Sequence, residues 1–306
     1  MGLVDYSSSS DDEESPASPQ RQRNKRKPGP NGLQGSSMPP LPSTFHDLYA
    51  STVRQSAVDD PSLHQGRKRQ NPHVVGHWPS HVYVEWHPTA AQHDALDALV
   101  KQIQRHIGED IHLHSFLTSD LGAPLPLHIS LSKPLSLPTS IKDDFVSKIQ
   151  DAICTSGIRR FCVKPAGLAW HKSPDSPRTF LVLRVVTVRE PARHLSSNPE
   201  LMAMLAKCNA VAAHFKQPTL YQQSAGDAAD EAFHISVGWT LGSPDDETCS
   251  TAVQRFKDAQ FADMRDWEII VDGVKTKIGN AIDCIPLSRA VTGRKGDEEA
   301  FSFFGI

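Results

Sequence analysis

Two short stretches, Leu127-His128-Ile129-Ser130-Leu131 and Phe233-His234-Ile235-Ser236-Val237, repeat nearly the same pattern with their histidines 106 residues apart (234 − 128). Each alternates apolar and polar residues without a break. In an extended strand, residues i and i+2 share a face. Each stretch therefore reads as a strand that aims a histidine and a serine one way and packs its apolar residues the other way. The tripeptide His-x-Ser/Thr means little alone, because it also occurs at His87, His171 and His194. Those three run into prolines, loops or helix starts. One strand of this kind is most simply a core histidine bonded to a nearby hydroxyl. Two matching copies, one in each half of the chain, point instead to a shared cleft.

The surrounding elements arrange these strands in two similar runs. Val82–Trp86 reads as a strand. Thr89-Ala-Ala-Gln92 has the form of a capping box, and Leu96, Leu99, Val100, Ile103 and Ile107 then recur at helical spacing. Ser140 with Asp143 predicts a second helix, its stripe formed by Ile141, Phe145, Ile149 and Ile153. Phe161–Trp170 and Thr179–Val188 read as a hairpin, and Asn198-Pro199 opens a helix through Phe215. A strand over 233–241, a helix from Ser243-Pro244 to Phe261 and a strand over 267–274 complete the series. Strand–helix–strand–helix–strand thus occurs twice, which predicts an α+β fold of two joined lobes over residues 71–306.

Residues 1–70 read differently. They hold Ser7–Ser10, the acidic run Asp11–Glu14, the basic clusters Arg21–Lys27 and Arg67-Lys68-Arg69, and a Pro/Gly/Ser stretch. Such a segment buries too little apolar surface to offset its ordering entropy, so a disordered tail is expected. Its basic clusters suit nuclear import as well as they suit a merely solvated tail.

The whole chain has 306 residues, 38% hydrophobic and 22% charged, with a formal net charge of −3. That balance excludes a histone-like coat protein. No apolar run approaches the ~20 residues of a membrane helix. The start of the chain has neither a signal-peptide nor a transit-peptide pattern. Five cysteines without a CxxC pair argue against a disulfide framework and for a reducing compartment. A soluble intracellular protein is expected.

Two histidines and two hydroxyls suit metal-independent phosphodiester chemistry. Imidazole titrates near pH ~6.5, so one ring can accept a proton while the other donates one. Serine hydroxyls donate to the non-bridging phosphate oxygens, where charge builds up in the transition state. On RNA the nearest nucleophile is the neighbouring 2′-hydroxyl, and its attack gives a 2′,3′-cyclic phosphate.

These motifs resemble those of the two-histidine (2H) phosphoesterases, and more narrowly those of the U6 small nuclear RNA phosphodiesterase branch, of Usb/Mpn type. The likeness extends to His77-Trp78-Pro79-Ser80-His81-Val82-Tyr83-Val84, to Phe116–Pro134, to Arg178-Thr179-Phe180-Leu181 and to Lys277-Ile278-Gly279-Asn280. It covers about Gly76 to Leu287. The resemblance implies a bilobal 2H phosphoesterase fold with pseudo-symmetric sheet-plus-helix lobes around a cleft that holds an RNA 3′ end. It implies a nuclear 3′→5′ exoribonuclease that trims the oligouridine or adenosine tail of U6 small nuclear RNA, with no cofactor or metal. It assigns His128 and His234 as general acid and base, without saying which is which, and Ser130 and Ser236 as phosphate ligands. It assigns Tyr221 as the residue stacked on the terminal base. A monomer with no membrane contact is expected.

Two alternatives stand beside this reading: a non-catalytic RNA-end-binding protein, and a cyclic phosphodiesterase or RNA-ligase-like enzyme of the same superfamily. Trp239, five positions beyond His234, reads as core on the opposite strand face. The pairs His73/His77 and His77/His81 have zinc-like i, i+4 spacing, but Pro72 and Pro79 argue against a helix there.

Overall fold

The computed structural model of the protein describes residues 74–107, 111–188, 197–221 and 230–288. The expected tail over 1–70 lies outside these residues. Among the described residues, ten strands form one sheet: β1 (His77–Trp86), β2 (His114–Ser115), β3 (Leu127–Ser130), β4 (Leu135–Pro138), β5 (Phe161–Lys172), β6 (Arg178–Thr187), β7 (His234–Leu241), β8 (Ile269–Val271), β9 (Gly273–Ile278) and β10 (Ala281–Pro286). The main path is β10-β9-β1-β3-β7-β6-β5-β8, while β4 pairs with β1 and β2 with β7. All pairings between these strands are antiparallel. This is the α+β class expected.

The repeat is less simple than the order of elements suggested. The expected strand over 267–274 is two strands, β8 and β9, which divide at Asp272 and join opposite ends of the sheet. β8 extends the β5 end, whereas β9 and the unforeseen β10 extend the β1 end. The two halves of the chain are therefore interleaved. They meet at the β3–β7 pair, through Ile129↔Ile235.

Among the described residues, four α-helices accompany the sheet. α1 (Ala90–Ile107) begins with the expected capping box: the Thr89 amide donates to Gln92 Oε1 at 2.9 Å and the Gln92 amide to Thr89 Oγ1 at 3.3 Å. It buries Leu96, Leu99, Val100 and Ile103. α2 (Lys142–Cys154) starts after Ile141, without the predicted Ser140 cap. It packs against α3 (Pro199–His214), whose preceding Asn198 uses its side-chain amide on the Val185 and Asp230 carbonyls. α4 (Asp246–Lys257) is capped by Asp245, which accepts from the Thr248 amide at 2.8 Å. It ends before Phe261, and a separate 3-10 segment spans Ala259–Asp266. No described helix is long and apolar enough to cross a membrane.

Candidate active site on the sheet face

Apolar alternation decides which face the motifs present. Leu127 and Ile129 of β3 and Ile235 and Val237 of β7 are buried in the core. His128 is exposed, and Ser130, His234 and Ser236 are half-buried on the other face. Ile129 pairs with Ile235 in an antiparallel register, so the ladder sets His128 across from Ser236 and Ser130 across from His234. An antiparallel pair has a local two-fold axis. The two predicted His–Ser pairs thus converge diagonally on one patch of sheet.

Strand β1 adds a row that the sequence reading had not treated as functional. Val82, Val84 and Trp86 are core, which leaves His81, Tyr83 and Glu85 on the motif face. The register aligns Tyr83 with Ser130 and Glu85 with His128. His81 Nε2 lies 3.2 Å from Ser130 Oγ. Its ring stacks on Tyr83 at 5.2 Å and meets His128 edge-on at 5.2 Å, while Tyr83 meets His128 edge-on at 5.5 Å. The signal was legible in His81-Val-Tyr-Val-Glu85, whose alternation matches that of the motifs. His77 and His81 lie on this strand and not on a helix, and His77 Nδ1 faces Ser136 Oγ at 3.2 Å. His73 is outside the described residues.

Electrostatics separates the two motif histidines. His234 is lowered from 6.5 to about 4, first by burial and further by the neighbouring His171, His128 and Arg184. Its Nδ1 lies 2.6 Å from the Ala232 carbonyl. A carbonyl only accepts, so Nδ1 carries the hydrogen and Nε2 keeps its lone pair. His128 is also lowered on balance, by desolvation, with the Glu85 carboxylate offsetting part of the effect. One edge of the ring is exposed, while the packed His81 and Tyr83 rings deprive a charged imidazolium of water. Glu85 in turn is held by Lys275 Nζ at 2.5 Å and His87 Nε2 at 2.6 Å, and it stays below the ordinary carboxyl value because these bonds outweigh its burial. His81 is lowered to about 3 by burial, with His128 and Lys277 adding to the effect. It is a neutral partner for Ser130.

Tyr221 comes near the same place. Its hydroxyl donates to the Ala232 carbonyl at 3.1 Å, the oxygen that also receives His234 Nδ1–H, and its ring meets Phe233 edge-on at 6.0 Å. Burial pushes the phenol up to about 12. Residues 222–229, part of the segment between Tyr221 and the motif, are not described.

One orientation is corrected. Trp239 is buried, as expected, but it belongs to the motif side of β7. The β6–β7 ladder steps from Val182↔Ser236 to Leu181↔Gly238, so Val237 is an extra residue. A bulge of this kind reverses the alternation beyond it. Trp239 then pairs with Phe180, two residues from Val182 and on the same face. It stacks on His114 at 4.2 Å and lies 5.8 Å from the Arg178 guanidinium.

Among solved structures, Kluyveromyces marxianus Usb1 with uridine monophosphate matches this chain with a TM-score of 0.50 at 17% identity, covering 68% of this chain and 98% of that one. Fold and paired motifs together define the class, a two-histidine phosphoesterase fold. A family model named HVSL, described as an uncharacterised conserved protein, matches residues 39–286. A Neurospora crassa protein named U6 snRNA phosphodiesterase 1 is 36% identical over 282 residues, covering 84% of this chain and 76% of the relative. A Bos taurus protein of the same name is 26% identical over 298 residues, covering 93% and 98%. The chain belongs to the HVSL family, the family of these U6 snRNA phosphodiesterases.

Proposed function

We propose that this chain is a nuclear RNA phosphodiesterase that trims the 3′ tail of U6 small nuclear RNA, one nucleotide at a time from the 3′ end. The observation that carries the reading is the β3–β7 pairing, which brings both His–Ser motifs to one face. The names of the relatives support the substrate. Its domain runs over residues 71–306, it works as a monomer, and its partner is the RNA 3′ end.

In the proposed reaction His234 is the general base. Its neutral ring directs a free Nε2 lone pair, fixed by the Ala232 carbonyl, at the penultimate 2′-hydroxyl. The oxygen attacks phosphorus, the bond to the 5′-oxygen of the last nucleoside breaks, and a 2′,3′-cyclic phosphate remains. His128 is the general acid that protonates the departing oxygen, because Glu85 favours its charged form. A bound phosphodiester, itself negative, raises both rings toward their working range. Ser130 and Ser236 donate to the non-bridging oxygens, with His81 holding the Ser130 hydroxyl. Tyr221 stacks on the terminal base.

The test uses an oligouridine-tailed RNA and a 2′-deoxy-penultimate analogue, with end products identified by mass spectrometry. The analogue should resist trimming. His128→Ala and His234→Ala should each lose about 10²–10⁴-fold in rate. A 5′-phosphorothiolate substrate, whose sulfur leaves without protonation, should rescue His128→Ala only. Rescue of His234→Ala instead reverses the two roles. Trimming of the deoxy analogue defeats the mechanism.

A further inference from the structure

Beyond the motif face, the outer edge of β5 holds a cavity of about 430 Å³ whose walls include Gly167, Arg184, Val253, Phe256, Lys257 and Arg265. It exists because β8 pairs with β5 only over Phe161–Val163, which leaves the rest of that edge without a strand neighbour among the described residues. α4 and the 3-10 segment close the gap instead. A register shift between Pro165 and Gly167 bends the strand at this place. Among the described residues, three lining side chains are cationic and none is acidic. Arg265 Nη1 donates to the Phe256 carbonyl at 3.1 Å, which fixes its guanidinium at the wall.

The cavity connects to the catalytic face through Arg184. Arg184 pairs with Gly167 on one side and with His234 on the other. It contributes to the lowered pKa of both His171 and His234. His171 lies 5.5 Å from His234, ring to ring. Two strand spacings of ~4.8 Å separate Gly167 from His234 along the ladder, so the cavity begins about 10 Å from the scissile position.

We infer that this cavity is a phosphate subsite for the RNA backbone on the 5′ side of the cleaved linkage. The inference rests on the exonuclease reading above. When a single nucleoside leaves from the 3′ end, every phosphate except the scissile one lies upstream. A cationic cavity one step beyond the histidines therefore meets the upstream chain. Lysine and arginine bind backbone phosphate without reading the base, which suits a uniform tail. Bases are left to other contacts. A dinucleotide has only the scissile phosphate, so it reacts without using this subsite.

Two variants test it without touching the proposed catalytic groups. Lys257→Ala removes a cation. Gly167→Leu fills the cavity: a β-carbon at Gly167 meets nothing within 4 Å, and the backbone there is not left-handed. Cleavage of di-uridine and penta-uridine is compared across a salt series, and binding of fluorescent penta-uridine is followed by anisotropy. With either variant, penta-uridine should show KM and Kd raised about fivefold, while di-uridine changes less than ~2-fold. The salt slope for penta-uridine should flatten by about one in Lys257→Ala. Equal losses on both substrates make the cavity a structural prop and overturn the inference. Unchanged penta-uridine binding overturns it as well. Displacement of the labelled RNA from wild type by inorganic phosphate, equally strong in Lys257→Ala, assigns the cations to no phosphate and overturns it too. If the wild type cleaves neither substrate, the nuclease reading fails, and the anisotropy comparison still decides whether the cavity holds the chain.

Discussion

Acid should destabilise this protein through two rings of the motif face. His81 and His234 sit at about 3 and about 4 in the folded chain against an ordinary 6.5, chiefly because burial removes the hydration of the imidazolium. Unfolding returns both toward ~6.5. Between these limits the unfolded state binds more protons, so stability rises with pH and is lost as pH falls from about 7 toward 4. The size of the loss depends on how far the pH lies below the unfolded value, since both native rings remain neutral. At pH ~5 each ring costs about 2 kcal/mol, or ~4 kcal/mol together. That is a large share of the roughly 5–15 kcal/mol that keeps a domain folded. Urea unfolding followed by tryptophan fluorescence at about pH 7.5, 6 and 5 measures the effect. His81→Asn should remove about half of it, because one of the two rings no longer titrates. A stability that stays flat over this range, or a pH slope unchanged in His81→Asn, refutes the reasoning.

Two further outcomes follow from the geometry. Glu85→Gln removes the charge that lifts His128, so the alkaline limb of the pH–rate profile should move to lower pH; a limb that stays in place contradicts the proposed acid. Gly279→Ala should cost about 1–3 kcal/mol, read as a lower Tm, because φ is +58° there and the added β-carbon would stand 2.7 Å from Trp78 Cε3; an unchanged Tm contradicts the crowding.

Local pattern accounts for much of what was legible beforehand. The alternation in Leu127–Leu131 and Phe233–Val237 placed the histidines and serines on the side of their strands away from the core. The capping box at Thr89 set the start of α1 because both partners lie within one turn. Less local signals misled. Ser140 and Ser243 are good cap residues that the helices bypass, starting after Ile141 and Asp245 instead. Trp239 was placed by counting, and a single extra residue at Val237 inverted the count.

The chain's own order of residues determined that two imidazole–hydroxyl pairs would each face away from the core, since strand alternation needs only neighbours in sequence. Tertiary pairing alone decided that β3 and β7 lie side by side, that β9 and β10 cross to the β1 end, and that His81, Tyr83 and Glu85 join the histidines. Those choices depend on which distant strands exchange backbone hydrogen bonds, and every strand offers the same donors and acceptors to any partner. Only the packing of the whole sheet selects among them.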